Sequence, residues 1–350
     1  LWARMFRALS VTSNDDIWAQ FIQAEFESWR PQDLANGWAA SDMIDISSQI
    51  LSWNTSNIQT PASRFTKDLL SIIDLKSHLT RRQWLTMIES IIRIGAASHI
   101  LWLCKVNDQT FRLLQNALNG NKQVSTDDVS KSFGMDESFW RYGAKAAAPI
   151  KKAATDYLKA RVGINIILHQ LEDQVGSSAI QGGLNNVQDI TTLLNWVSTD
   201  KVRSHWDFQQ FKTSYQEVLE KNPSLMLGKK GISSNIIEFL RHVLGQRSTN
   251  ESGLDTYDQG YFLAKRGSYK TAPWAISLGP VSVMALVHAC TYDSQGARTV
   301  DNFCAHLKEY GVEIDPDDIS NSELGNTMRS LGLVLDSPDA EGGIALINPF

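Results

Sequence analysis

Three consecutive pieces at the C-terminal end decide how this chain is read: Val281-Ser-Val-Met-Ala-Leu-Val-His-Ala-Cys290, Thr299-Val-Asp-Asn-Phe-Cys-Ala-His-Leu-Lys-Glu-Tyr310 and Thr327-Met-Arg-Ser-Leu-Gly-Leu-Val-Leu-Asp336. The first follows Gly279-Pro280, a proline suited to a helix's opening turn because the N–H it lacks is not needed there. The second starts on a Thr299 cap with Asn302 in its first turn. It gathers Val300, Phe303, Cys304 and Leu307 on one face and stops at Gly311. The third belongs to a helix over 323–331, capped by Asn321 or Ser322, with Leu324, Met328 and Leu331 inward and Gly332 closing it. Val334-Leu335 then starts a strand, residues 337–343 turn, and 344–347 form a second strand.

Three helices and a hairpin within about 70 residues resemble the winged-helix superfamily, with the hairpin as the wing and helix 323–331 in the place of a recognition helix. The resemblance covers about 280–350 and implies docking onto DNA or protein, since winged helices do both. Charge separates the two. Between 315 and 341 stand Asp315, Asp317, Asp318, Glu323, Asp336, Asp339 and Glu341 against Arg329 alone. Such a face repels phosphates, so it is expected to dock on protein rather than read a DNA groove.

Working outward, the rest reads as helices: 15–29 with Ile17, Trp18, Phe21, Ile22 and Phe26 in phase, 41–53, 66–75, and 82–106, the last apolar on most sides and therefore central. A helical region is expected from 136 to 172, followed by helices over 187–197, 206–220 and 233–244. Ser125-Thr-Asp-Asp128 is a capping cluster, and polar stretches near 119–134 and 246–253 mark boundaries. The expected architecture is mainly α: a helical domain 1–130, a second helical domain 131–255 carrying a basic helix, and a winged-helix module 256–350.

The 350 residues include 43% hydrophobic and 20% charged side chains, ordinary globular usage, with a net charge of -5 that supplies no global attraction for nucleic acid. Cys104, Cys290 and Cys304 show no metal-site or disulfide spacing and read as buried free thiols of a reducing compartment. No apolar run approaches the roughly 18 residues needed to span a bilayer and no signal peptide is evident, so a cytoplasmic protein without membrane contact is expected. The sequence opens on Leu1 rather than Met, and a preceding portion is expected. Eleven tryptophans in helical phase read as core.

Positive charge is local. Arg141, Lys145, Lys151, Lys152, Lys159 and Arg161 face only Asp156 in sequence. On one continuous helix Arg141, Lys145, Lys152 and Lys159 would fall within about 40° of each other. Pro149 should kink that helix or begin a new one. Lys265, Arg266 and Lys270 form a second patch in a Gly-containing loop with Ser268 and Tyr269. Both patches read either as solvated surface or as sequence-independent contacts to DNA phosphates.

Catalytic signatures are absent. Gly228-Lys-Lys-Gly231 lacks the spacing of a phosphate-binding loop, and GxGxxG, HExxH and GxSxG do not occur. Asp315-Pro-Asp317 and Pro338-Asp339 fit turns. His99, His169 and His242 sit in apolar helical runs. Cys290 with His288, and Cys304 with His306, lie two apart and form no local thiolate–imidazole pair. These features imply a non-enzymatic accessory or scaffold subunit with protein partners, no metal and no small-molecule cofactor; direct DNA binding and an enzyme with a distributed site are the alternatives. The overall style resembles the helical accessory proteins of prokaryotic phage-defence operons.

Overall fold

A computed structural model describes residues 60–120, 124–135, 137–175, 187–221, 231–245, 259–267, 269, 271–292, 296–316, 319, 322–335 and 343–350. The helices expected over 15–29 and 41–53, the loops near 176–183 and 246–253, Lys270, Asp317, Asp318 and the hairpin turn lie outside the described residues.

The protein is mainly helical. α1 (Pro61–Asp74) begins at Thr60, whose hydroxyl accepts from the Ser63 N–H, and α2 (Arg81–Asn119) begins at a capping box between Thr80 and Gln83. α3 (Thr126–Phe133) uses Ser125 and Asp128 in the same way. Then come β1 (Trp140–Arg141), α4 (Ala147–Val175), α5 (Val187–Val197), α6 (Asp200–Arg203), α7 (Phe208–Lys221) and α8 (Gly231–Val243). The C-terminal part holds β2 (Leu263–Lys265), β3 (Trp274–Ile276), α9 (Pro280–Thr291), α10 (Val300–Glu309), β4 (Val312–Glu313), α11 (Glu323–Ser330), β5 (Val334–Leu335) and β6 (Ala345–Leu346). Pro280 opens α9, and Thr299 and Asn302 form a capping box on α10.

Two corrections to the periodicity follow. α2 does not stop near 106 but runs 39 residues, about 58 Å at 1.5 Å per residue. The helix expected over 136–172 starts only at Ala147, because Pro149 sits in its first turn, where the missing N–H costs nothing. Residues 140–141 are a short strand instead, 142–144 turn, and Lys145 makes a single bridge to β3.

The length of α2 matters because it serves two cores. Its first half, from Trp84 to Leu101, packs in a cluster with Phe65, Leu69 and Ile72 of α1, Leu286 and Val287 of α9, Phe303 and Leu307 of α10, and Met328 of α11. Its second half, from Trp102 to Leu118, packs with Phe133 of α3, Ile164 and Ile167 of α4, Leu194 of α5 and Phe211 of α7. α4 spans the same divide, with Ile150 and Ala154 in the first cluster. Among the described residues α2 is the one helix long and apolar enough to cross a membrane by length and composition, yet 72% of its most apolar window is buried in the fold. It is a core helix.

Close approach makes this packing possible. Gly163 of α4 lies against Phe111 of α2, so close that a Cβ there would come within 2.2 Å of the ring, and Gly95 of α2 stands in the same relation to Phe65 of α1. Two buried tryptophans are satisfied by backbone: Trp84 Nε1 donates to Ile72 O at 2.8 Å and Trp102 Nε1 to Phe133 O at 2.9 Å.

α9 is buried on nearly all sides, between α1, α2 and α10, so the C-terminal helices share one apolar core with residues 65–101. α10 is also clamped to α1 by charge. Asp68, fully buried, accepts from Arg64 Nε at 2.9 Å, His306 Nε2 at 2.7 Å and Tyr310 Oη at 2.8 Å. Burial alone would lower the His306 pKa, but the Asp68 carboxylate beside it and a hydrogen bond with Cys290 bring it up to about 9. Burial and Asp68 push the Tyr310 phenol well above its ordinary value.

His306 is more basic folded than unfolded, so its contribution is complete below about pH 6.5 and lost as pH rises through about 9. The melting temperature should therefore fall between those values in calorimetric scans, and Asp68→Asn should remove most of that slope. A flat profile in the wild type would refute the clamp. Gly163→Ala gains up to about 1 kcal/mol of helix propensity but forces the Phe111 ring aside, typically about 1–3 kcal/mol, so urea midpoints should show a net loss.

Candidate nucleic-acid interface

The segment 140–146 brings the two basic stretches together. β1 pairs in parallel with β4, Trp140 opposite Val312 and Arg141 opposite Glu313. The chain then turns at Gly143, whose φ of 73° is in the left-handed region, and runs on along β3. Gly143 N donates to Ile276 O at 2.8 Å, Ile276 N to Ala144 O at 3.0 Å, and Ala146 N to Trp274 O at 3.0 Å, with Lys145 bridged to Ala275. On its other edge β3 pairs antiparallel with β2, Lys265 opposite Trp274. β3 is thus flanked by lysines 120 positions apart in sequence.

The hairpin closes through Arg266 N donating to Pro273 O and Ala272 N donating to Tyr269 O, both at 2.9 Å. From its end Arg266 folds back over Gly143, so that a Cβ on Gly143 would lie 2.5 Å from Nη2. Tyr142, beside it, feels the same guanidinium: burial raises its phenol pKa, while a hydrogen bond with Ser277 and the charge of Arg266 oppose the rise. Immediately after Lys145, Ala147 and Ala148 open α4 at the surface, and Lys151 stands exposed one turn in.

Lys145, Lys151 and Arg266 are exposed and Lys265 half-buried, and among the described residues no ion pair ties any of the four. Arg141 is exposed at the patch's edge, where Glu313 is its strand neighbour. Glu323 of α11 is near enough to act electrostatically on Tyr142. The basic residues thus gather on the small sheet around β3 and on the first turn of α4, with Glu313 opposite Arg141.

The other expected site residues fall away from it. Lys152 is bound to Asp156 at 2.6 Å, one turn along α4. Lys159 is exposed about 10 Å further down the same helix. Arg161 points about 180° round from Lys152. The single stripe expected from Arg141 to Lys159 does not form, because Arg141 and Lys145 are on extended backbone rather than on the helix.

A second constellation assembles from distant residues. Cys290, two residues from His288 in sequence, is instead hydrogen-bonded to His306, which donates to Asp68. Thiol, imidazole and carboxylate in this order resemble the parts of a nucleophilic relay. All three are nevertheless buried, with Cys290 at 7%, His306 at 4% and Asp68 at 0% exposure, so no substrate reaches the thiol in this conformation. They act as a polar rivet between α1, α9 and α10. The one sequence signal for it was Asp68 on the apolar face of α1, between Phe65, Leu69 and Ile72.

No protein-family profile, no curated protein and no solved structure matches this chain.

Gly143 is the position on which Arg266 depends. Gly143→Ala places a side chain both in a left-handed conformation, roughly 1–2 kcal/mol unfavourable, and in the space of the guanidinium. Thermal denaturation should record a loss of that order, against a smaller change for Ala144→Gly at the exposed next position.

Proposed function

We propose that this protein binds nucleic acid through its phosphates, without reading sequence, at the patch formed by Lys145, Lys151, Lys265 and Arg266 with Arg141 at its edge. The observation that carries this is the convergence itself: two basic stretches far apart in sequence meet across β3, with Arg266 laid over a bare Gly143. Such exposed cations are screened by water in the free protein and remain open to an anionic ligand. Lysine and arginine on rigid strands suit oxygen-rich phosphates, the guanidinium by paired hydrogen bonds and the ammonium groups as point charges.

We read 280–350 as a winged-helix module. α9, α10 and α11 precede the β5–β6 hairpin, and β6 also returns to Thr299 in front of α10, where Val300 N donates to Ile344 O at 3.0 Å and Leu346 N to Arg298 O at 2.7 Å. α11 carries Glu323 in its first turn and Arg329 in its last, a poor charge pattern for a groove-reading helix. On the side of α9 the module's docking partner is the protein's own body, through α1 and α2. The molecule is then a non-enzymatic, nucleic-acid-associated protein of the accessory kind, in which the module buttresses β4 and β1 behind the patch.

Four neutralised phosphates give log Kobs a slope of about -3 against log salt, a loss of roughly 60-fold between 50 and 200 mM. Fluorescence anisotropy with labelled oligonucleotides should show that dependence. The double reversal Lys145→Glu/Arg266→Glu should weaken binding at least tenfold and flatten the slope by about two, while Lys159→Glu should change affinity less than threefold. Unchanged affinity in the double reversal would rule the site out.

A further inference from the structure

We infer that the ligand of this patch is a single strand, with one base stacked on Tyr269; this rests on the phosphate-binding reading above. Tyr269 sits at the end of the β2–β3 hairpin, three residues from Arg266, and is 59% exposed, one of the most exposed large hydrophobic side chains among the described residues. A tyrosine ring at a hairpin tip ordinarily gains by folding onto apolar neighbours. Here its edge rests on Gly267, where a Cβ would lie 2.9 Å from Cε1, and the φ of 110° at that glycine holds the bend. The ring is propped up rather than tucked away.

An exposed aromatic beside a short run of cations is the arrangement that single strands use: phosphates follow the charges while a base lies on the ring, whatever its identity. A duplex offers no free base face there, since its bases are already stacked. The patch's positive residues lie on one hairpin, one bridging strand and the first turn of α4, while Glu313 of β4 stands opposite Arg141 and Glu323 of α11 acts on Tyr142. A second backbone running beside the first would be brought towards those carboxylates.

The test uses the full chain with fluorescein-labelled dT20, U20 and a 20-base-pair duplex, each titrated at the same series of salt concentrations. Both single strands should bind at least tenfold more tightly than the duplex. Tyr269→Ala should weaken single-strand binding about tenfold, within the roughly 5- to 150-fold that one stacked base is worth, with the salt slope unchanged. Tyr269→Trp should restore it. A higher affinity for dT20 identifies DNA as the ligand, a higher one for U20 identifies RNA, and equal affinities mean the site ignores the sugar. Duplex binding as tight as single-strand binding, or full affinity in Tyr269→Ala, overturns the inference. If the Lys145→Glu/Arg266→Glu reversal still abolishes duplex binding in that event, the phosphate site stands and only the single-strand claim fails. Failure to bind any of the three oligonucleotides removes both.

Discussion

The rest of the structure hangs on the burial of α2. A helix of 39 residues has more apolar surface than one neighbouring helix can cover, and it stays in a single piece because α1 and α9 cover one half while α3, α4 and α5 cover the other. Its small and large residues set where neighbours can come: Gly95 admits Phe65, while Phe111 enters the space left by Gly163. Each contact removes apolar area from water at roughly 25 cal/mol per Å², and the summed burial holds the two cores together without any covalent link. The three cysteines are free and buried.

Against that frame the polar features divide into sealed and open ones. Asp68, His306, Tyr310 and Cys290 are sealed, so their charges are met by each other, and the effect is to fix α10 on α1. Removing one partner of such a group leaves a buried charge alone, which is why clusters of this type stabilise as a unit and destabilise when broken. Lys145, Lys151, Lys265 and Arg266 are open. Water screens them, so they cost the fold little and remain available to a ligand.

The strand segment 140–146 connects the two. It is anchored to β4 by Trp140, itself buried in the first core, and to β3 by Gly143 and Ala146. Because β4 follows α10 directly, the rivet at Asp68 also fixes the height at which β1 and then Lys145 are presented. The position of the patch is therefore a consequence of helix packing, although none of its residues lies in a core.

By itself the sequence determined the helical character, the caps at Ser125 and Thr299, the proline-opened α9, the burial of the cysteines, and the presence of two basic stretches. These are local properties, set by residue periodicity and by hydrogen bonds three or four positions apart. It also held both readings of Pro149, as a kink or as a helix start. Tertiary structure decided the rest: that α4 begins at Ala147, that Asp68 meets His306 across 238 positions, and that Lys145 and Lys265 flank the same strand. Backbone pairing of short strands leaves almost no periodic trace in two or three residues, and a glycine chosen to accommodate a distant arginine looks like any turn glycine. Such contacts exist only once the long helices have packed, and so could not be read from the order of residues alone.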